Sequence, residues 1–157
     1  MKKKIDINNV INLETGLTSG EKEARITILN RMIAEKGPLD LECMEYDLKI
    51  MVNKLIKKKK IVVEDNKVKF AYPVSSIQTA HRIILDDGRD YYAMCAIDSL
   101  GSSFTFHSDL TIESKCAVTG DPIYIKISDG EIVEYSPKSI QAIHVDLSLN
   151  TEWASSC

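Results

Sequence analysis

The sequence lacks the features that would assign a small protein to a membrane, to export or to a zinc scaffold. No run of apolar residues approaches the roughly 20 that a membrane span needs. Residues 1–10, MKKKIDINNV, begin with positive charge like a signal peptide but continue without an apolar core. No Cys-x-x-Cys pair is present, which excludes the common zinc-finger spacings. We therefore expect a cytoplasmic protein whose cysteines are thiols rather than disulfides: Cys43, Cys95, Cys116 and Cys157.

Positive charge is scarce in the second half of the chain. Residues 1–72 carry 15 Lys and Arg against 11 Asp and Glu, which is +4, whereas residues 73–157 carry 5 against 12, which is −7. Nucleic acids favour clustered Lys and Arg, so the second half is not expected to bind one. With 157 residues, 44% of them apolar, the chain is long enough to bury a core without disulfides.

The first half predicts an N-terminal arm at residues 1–17 and a winged-helix-like module at residues 18–72. The first helix begins at Thr18, where Glu21 supplies the spacing of a capping box, and apolar residues at helical spacing continue it. Two more helices and a hairpin follow, and together they give the pattern of a winged helix-turn-helix. These helices and strands are predicted at residues 39–44, 46–60, 61–63 and 68–72.

The second half, residues 77–157, predicts a mainly antiparallel β domain that carries one helix. Residues 73–76 are interpreted as the joint between the halves. Alternating apolar and polar residues indicate half-buried strands, and one helix is predicted at about residues 90–100. The fold class is therefore α+β. The strands are predicted at residues 81–85, 110–115, 123–127, 132–135 and 140–147.

Within the predicted helix, Cys95 and Asp98 stand three residues apart, which places a thiol and a carboxyl on the same helical face. The pair alone is a weak signal. A buried small thiol with a solvent-facing acid one turn later has the same spacing.

The surrounding residues make the signal specific. The run at residues 86–100, DDGRDYYAMCAIDSL, resembles the segment around the first catalytic cysteine of organomercurial (alkylmercury) lyases. Residues 114–123, SKCAVTGDPI, are similar to that family's S-x-C-A-x-T-G-x-P, and Cys157 falls where the family has its second catalytic cysteine. The resemblance covers about residues 72–157, and the family also carries a winged-helix-like N-terminal module.

The resemblance implies protonolysis of a carbon–mercury bond to give a hydrocarbon and mercury(II). It makes Cys95 and Cys157 the thiolate pair that binds the soft metal, with Asp98 beside them as metal neighbour and proton relay. No cofactor is implied, but external thiols are needed for turnover. The implied partners are organomercurial small molecules, cellular thiols and mercuric reductase as mercury acceptor, with neither membrane nor nucleic acid.

Other candidate residues are expected to be structural. The resemblance makes Cys116 a buried structural thiol, and Cys43 is expected to pack in the core. The histidines show no ligand spacing and are interpreted as ordinary polar or strand-end residues: His81, His107 and His144. Three side chains near the motif are expected to line an apolar pocket or to belong to the core: Tyr91, Tyr92 and Met94.

Two other functions stay open. The resembling enzymes continue past their second cysteine whereas this sequence ends at Cys157, so the 77–157 domain is expected to be C-terminally incomplete, through truncation or a selenocysteine codon read as a stop. An incomplete domain favours a non-catalytic heavy-metal binder on the same scaffold. The lysine run at residues 57–60 favours a metal-responsive winged-helix transcription regulator instead. The regulator hypothesis is disfavoured because acidic residues at the start of the presumed DNA-recognition helix would face phosphates: Glu42, Glu45 and Asp47.

Overall fold

The computed structural model describes residues 14–142, which form an α+β fold with an antiparallel sheet. Within these residues, three α-helices and a short 3-10 turn accompany the strands. The helices are α1 (Ser19–Glu35), α2 (Tyr46–Lys57) and α3 (Ala96–Phe106), and the 3-10 turn is Leu41–Cys43. The strands are β1 (Leu39–Asp40), β2 (Ile61–Glu64), β3 (Lys67–Ala71), β4 (Val74–Ser75), β5 (Arg82–Leu85), β6 (Asp90–Ala93), β7 (Leu110–Lys115), β8 (Pro122–Ser128) and β9 (Glu131–Ser136).

These strands form one sheet that runs through both halves of the chain. Its order is β1-β3-β4-β6-β5-β7-β8-β9, with β2 paired to β3 as well. The two-residue strand β4 makes the connection, because Val74 pairs with Ala71 on one side and with Ala93 on the other. The segment interpreted from the sequence as a joint therefore contains a strand of the common sheet.

Helix α1 begins with the predicted capping box. The Thr18 hydroxyl accepts the Glu21 backbone N–H at 3.3 Å, and the Glu21 carboxylate accepts the Thr18 N–H at 2.7 Å. The helix ends at Lys36, which adopts the left-handed conformation with a φ of 50°. Its apolar face is buried, and burial of each large apolar side chain stabilises the fold by roughly 1.5–3 kcal/mol. That face consists of Ile28, Leu29, Met32 and Ile33.

The predicted second helix at residues 39–44 is wrong. Leu39 pairs with Val68 of β3, and a single 3-10 turn follows, capped by the Asp40 carboxylate on the Glu42 backbone N–H at 2.9 Å. Met44 then returns to extended backbone and buries its side chain, so no second helical turn can form. The predicted hairpin after α2 is confirmed as β2 and β3.

The helix predicted at residues 90–100 is also misplaced. Its first part is strand β6, in which the side chains of Tyr91 and Ala93 are buried while Asp90 and Tyr92 are half-exposed. The tight turn before β6, with Gly88 at a φ of 86°, makes antiparallel pairing with β5 the natural continuation. The helix itself starts later, at Ala96, and extends to Phe106.

The other strands of the second half agree with the prediction. Strands β5, β7, β8 and β9 each match a predicted range to within about one residue. The predicted strand at residues 140–147 lies outside the described residues from position 143 onward, and residues 140–142 are not in a strand. None of the helices described within residues 14–142 could span a membrane.

Candidate active site

Cys95 is the N-cap of α3, and its thiol meets the carboxyl of Asp98. The Cys95 backbone is extended, with φ −148° and ψ 178°, and Asp98 is the third residue of the helix. The Cys95 Sγ–H donates to Asp98 Oδ2 at 3.2 Å. The two residues are therefore in contact, but through an N-cap relation rather than along one helical face.

The same relation opens α1, where an N-cap side chain and an acid three residues later also meet. In α1 the Thr18 hydroxyl accepts a backbone N–H, whereas in α3 the Cys95 thiol turns instead toward the acid. The Asp98 carboxylate also accepts the backbone N–H of Cys95. A carboxylate in the first turn is favoured by the helix dipole, so the start of α3 both places and stabilises the pair.

Asp98 is almost fully covered, with 6% of its surface exposed. This burial raises its pKa to about 6, although the Cys95 thiol and the positive charge of Arg25 act in the opposite direction. Arg25 comes from α1 and is itself 1% exposed. A carboxyl that exchanges its proton near neutral pH can act as donor and as acceptor in turn.

A cavity of about 380 Å³ opens beside Cys95. Its wall is mostly apolar and comes from α3, β7 and β8 together with residues 140–142. An apolar wall with a few polar groups is the ordinary form of a small-molecule site. The apolar side chains include Leu100, Ile112, Val118, Ile123, Ile125 and Ile140.

The side chains expected to line such a pocket do not line this cavity. Tyr91 is 5% exposed and packs its ring on Phe106, with centroids 5.5 Å apart, so it belongs to the core. Tyr92 lines a different cavity, together with Arg82. Met94 is half-buried and is not part of the cavity wall.

The predicted burial of the other two described cysteines is wrong. Cys116 is half-exposed and belongs to the same cavity wall as Cys95, because β7 ends at Lys115 and the chain then turns outward. Hydrogen bonds from the Thr119 hydroxyl and from backbone N–H groups lower the pKa of the Cys116 thiol. Cys43 is exposed at the end of the 3-10 turn, where Met44 fills the core in its place.

His81 is a site residue that the sequence analysis missed. Its Nδ1 lies 2.6 Å from Ser114 Oγ, and both side chains line the cavity beside Cys95. Burial lowers the pKa of His81, which favours the neutral ring. Position 81 gives no local signal, since β5 and β7 come together only through pairing over a long sequence separation.

The remaining predicted residues fall elsewhere. His107 ends α3 in the left-handed conformation, with a φ of 49°. Cys157 and His144 lie outside the described residues. Within residues 14–142 no group of three or more His, Cys, Asp or Glu side chains could hold a metal ion. The described part of the site therefore offers the Cys95–Asp98 pair and, in the same cavity wall, Cys116.

Comparisons with known proteins point in one direction. The alkylmercury lyase family model matches residues 74–157. The alkylmercury lyases of Bacillus cereus and Clostridium butyricum are each 35% identical to this chain over 63 residues, which is 40% of this chain and 28% of each relative. This chain thus aligns with less than a third of the length of those curated relatives.

A solved structure extends the likeness to the first half of the chain. The mercury-bound form of MerB2 is similar with a TM-score of 0.59 and 26% identity, over 85% of this chain and 66% of that one. The family model alone spans more than half of the chain, and it includes the Cys95–Asp98 pair. This chain belongs to the alkylmercury lyase family.

Proposed function

We propose that this chain is an organomercurial lyase, which cleaves the carbon–mercury bond by protonolysis and releases a hydrocarbon and mercury(II). The observation that carries the proposal is the Cys95 thiol, hydrogen-bonded at 3.2 Å to a buried Asp98 beside an apolar cavity. Family membership supports the same reaction, and the similar MerB2 structure is of a mercury-bound form.

In the proposed reaction, Cys95 binds the mercury of an R–Hg⁺ substrate as a thiolate and transfers its thiol proton to Asp98. Cys157 is proposed as the second sulfur, and its thiol proton leaves to solvent. The carbon–mercury bond then breaks with both electrons on carbon, which takes the proton from Asp98 and leaves as R–H. Mercury(II) remains on the two thiolates, the ligands that a soft cation prefers. A pKa of about 6 for Asp98 suits a group that must accept and release one proton near neutral pH.

The apolar cavity is proposed to hold the organic group of the substrate. Leu100 and Ile125 provide a surface that excludes water from the carbon that is protonated. No cofactor is proposed to take part. Mercury(II) bound to two sulfurs needs competing ligands for release, so we propose that cellular thiols and mercuric reductase remove it in the cytoplasm.

The first half is proposed to be a winged-helix-like scaffold without a DNA-binding role. The helix that would enter a groove, α2, has Glu45 at its N-cap, and this residue stays ionised because Arg31 lowers its pKa to about 2. Of the lysine run, Lys58 binds Glu21 at 2.7 Å and Lys60 is 8% exposed, so half of it serves the fold. A DNA surface would present these charges to phosphates instead.

The test is benzene release from phenylmercury acetate in the presence of excess small thiol, followed by gas chromatography. We expect release by the unmodified chain, and a loss of roughly 10²–10⁴-fold in Asp98→Asn, since asparagine keeps the shape of the side chain but cannot relay a proton. Cys95→Ser is expected to lose cleavage and tight mercury binding together. Cys43→Ser is the matched control, because Cys43 is an exposed thiol outside the cavity, and it is expected to change neither property.

Binding and cleavage are separated by equilibrium mercury(II) titration of the same variants. Asp98→Asn is expected to retain mercury while it loses turnover. A chain that binds mercury through Cys95 and releases no benzene would be the non-catalytic binder. Unchanged cleavage by Asp98→Asn would contradict the proposed proton relay.

A further inference from the structure

Arg25 is a buried charge that the proposed reaction leaves unexplained. It lies on α1, outside the 74–157 segment that the family model matches, and it is 1% exposed. Its Nη2 donates to the Tyr72 carbonyl oxygen, whereas its Nε has no hydrogen-bond partner among the described residues. Burial of a charged group is strongly unfavourable unless other charges compensate it. A leucine or methionine would fill the same space at lower cost.

The backbone that Arg25 holds leads directly to Cys95. Tyr72 is followed by Pro73, whose carbonyl oxygen accepts the backbone N–H of Met94 at 3.2 Å. Met94 is the residue before Cys95. One hydrogen bond from α1 thus fixes the strand segment against which the N-cap of α3 is held.

Electrostatic attraction supplies a second link, to Asp98, which acts at longer range than an ion pair. Burial lowers the pKa of Arg25, and the negative charges of Glu14 and Asp98 oppose that shift. Glu14 is partly exposed, with 40% of its side chain accessible, and is also paired with Lys22, so solvent screens it. Asp98 is buried like Arg25, and attraction between buried charges is screened least.

We propose that Arg25 is a positioning residue of the Cys95–Asp98 site, because it provides the buried positive charge that compensates the Asp98 carboxylate and ties the Tyr72–Pro73 segment to α1. The site is then incomplete without the N-terminal half, although the family model begins at residue 74. This inference rests on the proposed function for its effect on turnover, but the charge pairing is measurable without substrate.

The first test is a double-mutant cycle on the metal-free full chain at pH 8, with urea unfolding as the measurement. Arg25→Met leaves Asp98 uncompensated, Asp98→Asn leaves Arg25 uncompensated, and the double variant removes both charges. We expect the double variant to lose less stability than the two single variants lose together. The difference should be at least about tenfold in the unfolding equilibrium constant. If Arg25→Met does not fold, Arg25→Gln takes its place, because its amide keeps a donor and removes only the charge.

The matched control is Arg31→Met combined with Asp98→Asn. Arg31 lies on the same helix but is paired with Glu45 at the surface, at 2.8 Å. Its effect is expected to add to that of Asp98→Asn within about twofold in the equilibrium constant. An Arg25 cycle that is equally additive would overturn the proposal.

The second test is turnover of phenylmercury. We expect Arg25→Met to lower kcat by roughly tenfold or more while KM changes little, and Arg25→Lys, which keeps the charge, to recover part of that loss. An unchanged kcat in Arg25→Met would also overturn the positioning role. If the unmodified chain releases no benzene, the proposed function fails, and the cycle still decides whether Arg25 and Asp98 are electrostatically coupled.

Discussion

The charged form of Asp98 is disfavoured by one large effect and favoured by several smaller ones. Burial disfavours its charged form, while the Cys95 thiol, the Arg25 charge and the Cys95 backbone N–H favour it. The result is a carboxyl with a pKa of about 6, above its ordinary value of 3.8. A fully paired carboxylate would hold its charge too firmly to accept a proton, and an unpaired one would stay protonated. The mixed surroundings of Asp98 therefore suit a relay.

The raised pKa of Asp98 predicts a particular dependence of stability on pH. Between about pH 4 and pH 6 the folded chain binds more protons at this position than the unfolded chain, so the contribution of Asp98 to stability falls as pH rises. Relative to Asp98→Asn, the unmodified chain should lose on the order of 2 kcal/mol of unfolding free energy between pH 4 and pH 7. Urea unfolding of both proteins across this range measures the difference. Parallel curves would mean that Asp98 titrates normally.

At the scale of single residues, the sequence predicts contacts between residues close along the chain. It does not predict contacts between distant residues that strand pairing brings together. The contact of Cys95 with Asp98 follows from a spacing of three, whether the first residue is inside a helix or caps it. His81 and Ser114 meet only because β5 pairs with β7, and no local pattern encodes that pairing. The exposure of Cys43 likewise depends on Met44 taking the core position.

At the scale of elements, α3 and its N-cap carry the Cys95–Asp98 pair. Two hydroxyls in its first turns donate to backbone carbonyls four residues earlier: Ser99 Oγ to the Cys95 carbonyl at 2.9 Å and Ser102 Oγ to the Asp98 carbonyl at 2.8 Å. Both serines are buried, and such small side chains let the helix pack close to the sheet. The Ser99 hydroxyl therefore ties the Cys95 carbonyl to the first turn of α3.

The capping box of α1 gives a direct test of how much a helix start contributes to this fold. Thr18→Ala removes the acceptor for the Glu21 backbone N–H and should cost about 1 kcal/mol of unfolding free energy. Thr18→Ser keeps the acceptor and should cost less. Thr27→Ala is the control on the same helix, because its hydroxyl only donates to the Glu23 carbonyl at the surface. Equal losses at positions 18 and 27, measured by urea unfolding, would contradict a specific capping role.

Strong local patterns predict elements well, and short or ambiguous ones do not. The capping box and long apolar face of α1 fix that helix, and period-two alternation fixes β7 and β8. The segment Asp90–Ala93 is compatible with the apolar spacing of a helix and with that of a strand, and only its pairing with β5 makes it a strand. The two-residue strands β1 and β4 are too short to leave any periodic signal.

At the scale of the whole molecule, the two halves share a sheet, a core and polar contacts. The buried apolar cluster extends from Ile28 on α1 to Ile127 on β8. Side chains of α1 also bind the turn and strand that precede the site: Asn30 accepts from Arg89 at 2.8 Å, and Lys36 binds Asp90 at 2.8 Å. The sequence predicts two joined modules, at residues 18–72 and 77–157, and it does not predict their common sheet because β4, the strand that connects them, leaves no recognisable pattern.

This shared core leads to a prediction about the halves when they are produced separately. Residues 1–72 alone would lack β4, which pairs with β3, and residues 73–157 alone would lose β3, α1 and the charge of Arg25. We expect neither piece to unfold cooperatively in urea, whereas a mixture of the two should regain part of the cooperative transition of the full chain, because the missing strand pairings can form between them. Circular dichroism of each piece and of the mixture makes the comparison. If residues 73–157 alone unfold as cooperatively as the full chain, the two halves are independent domains, and the contribution of α1 to the site must be small.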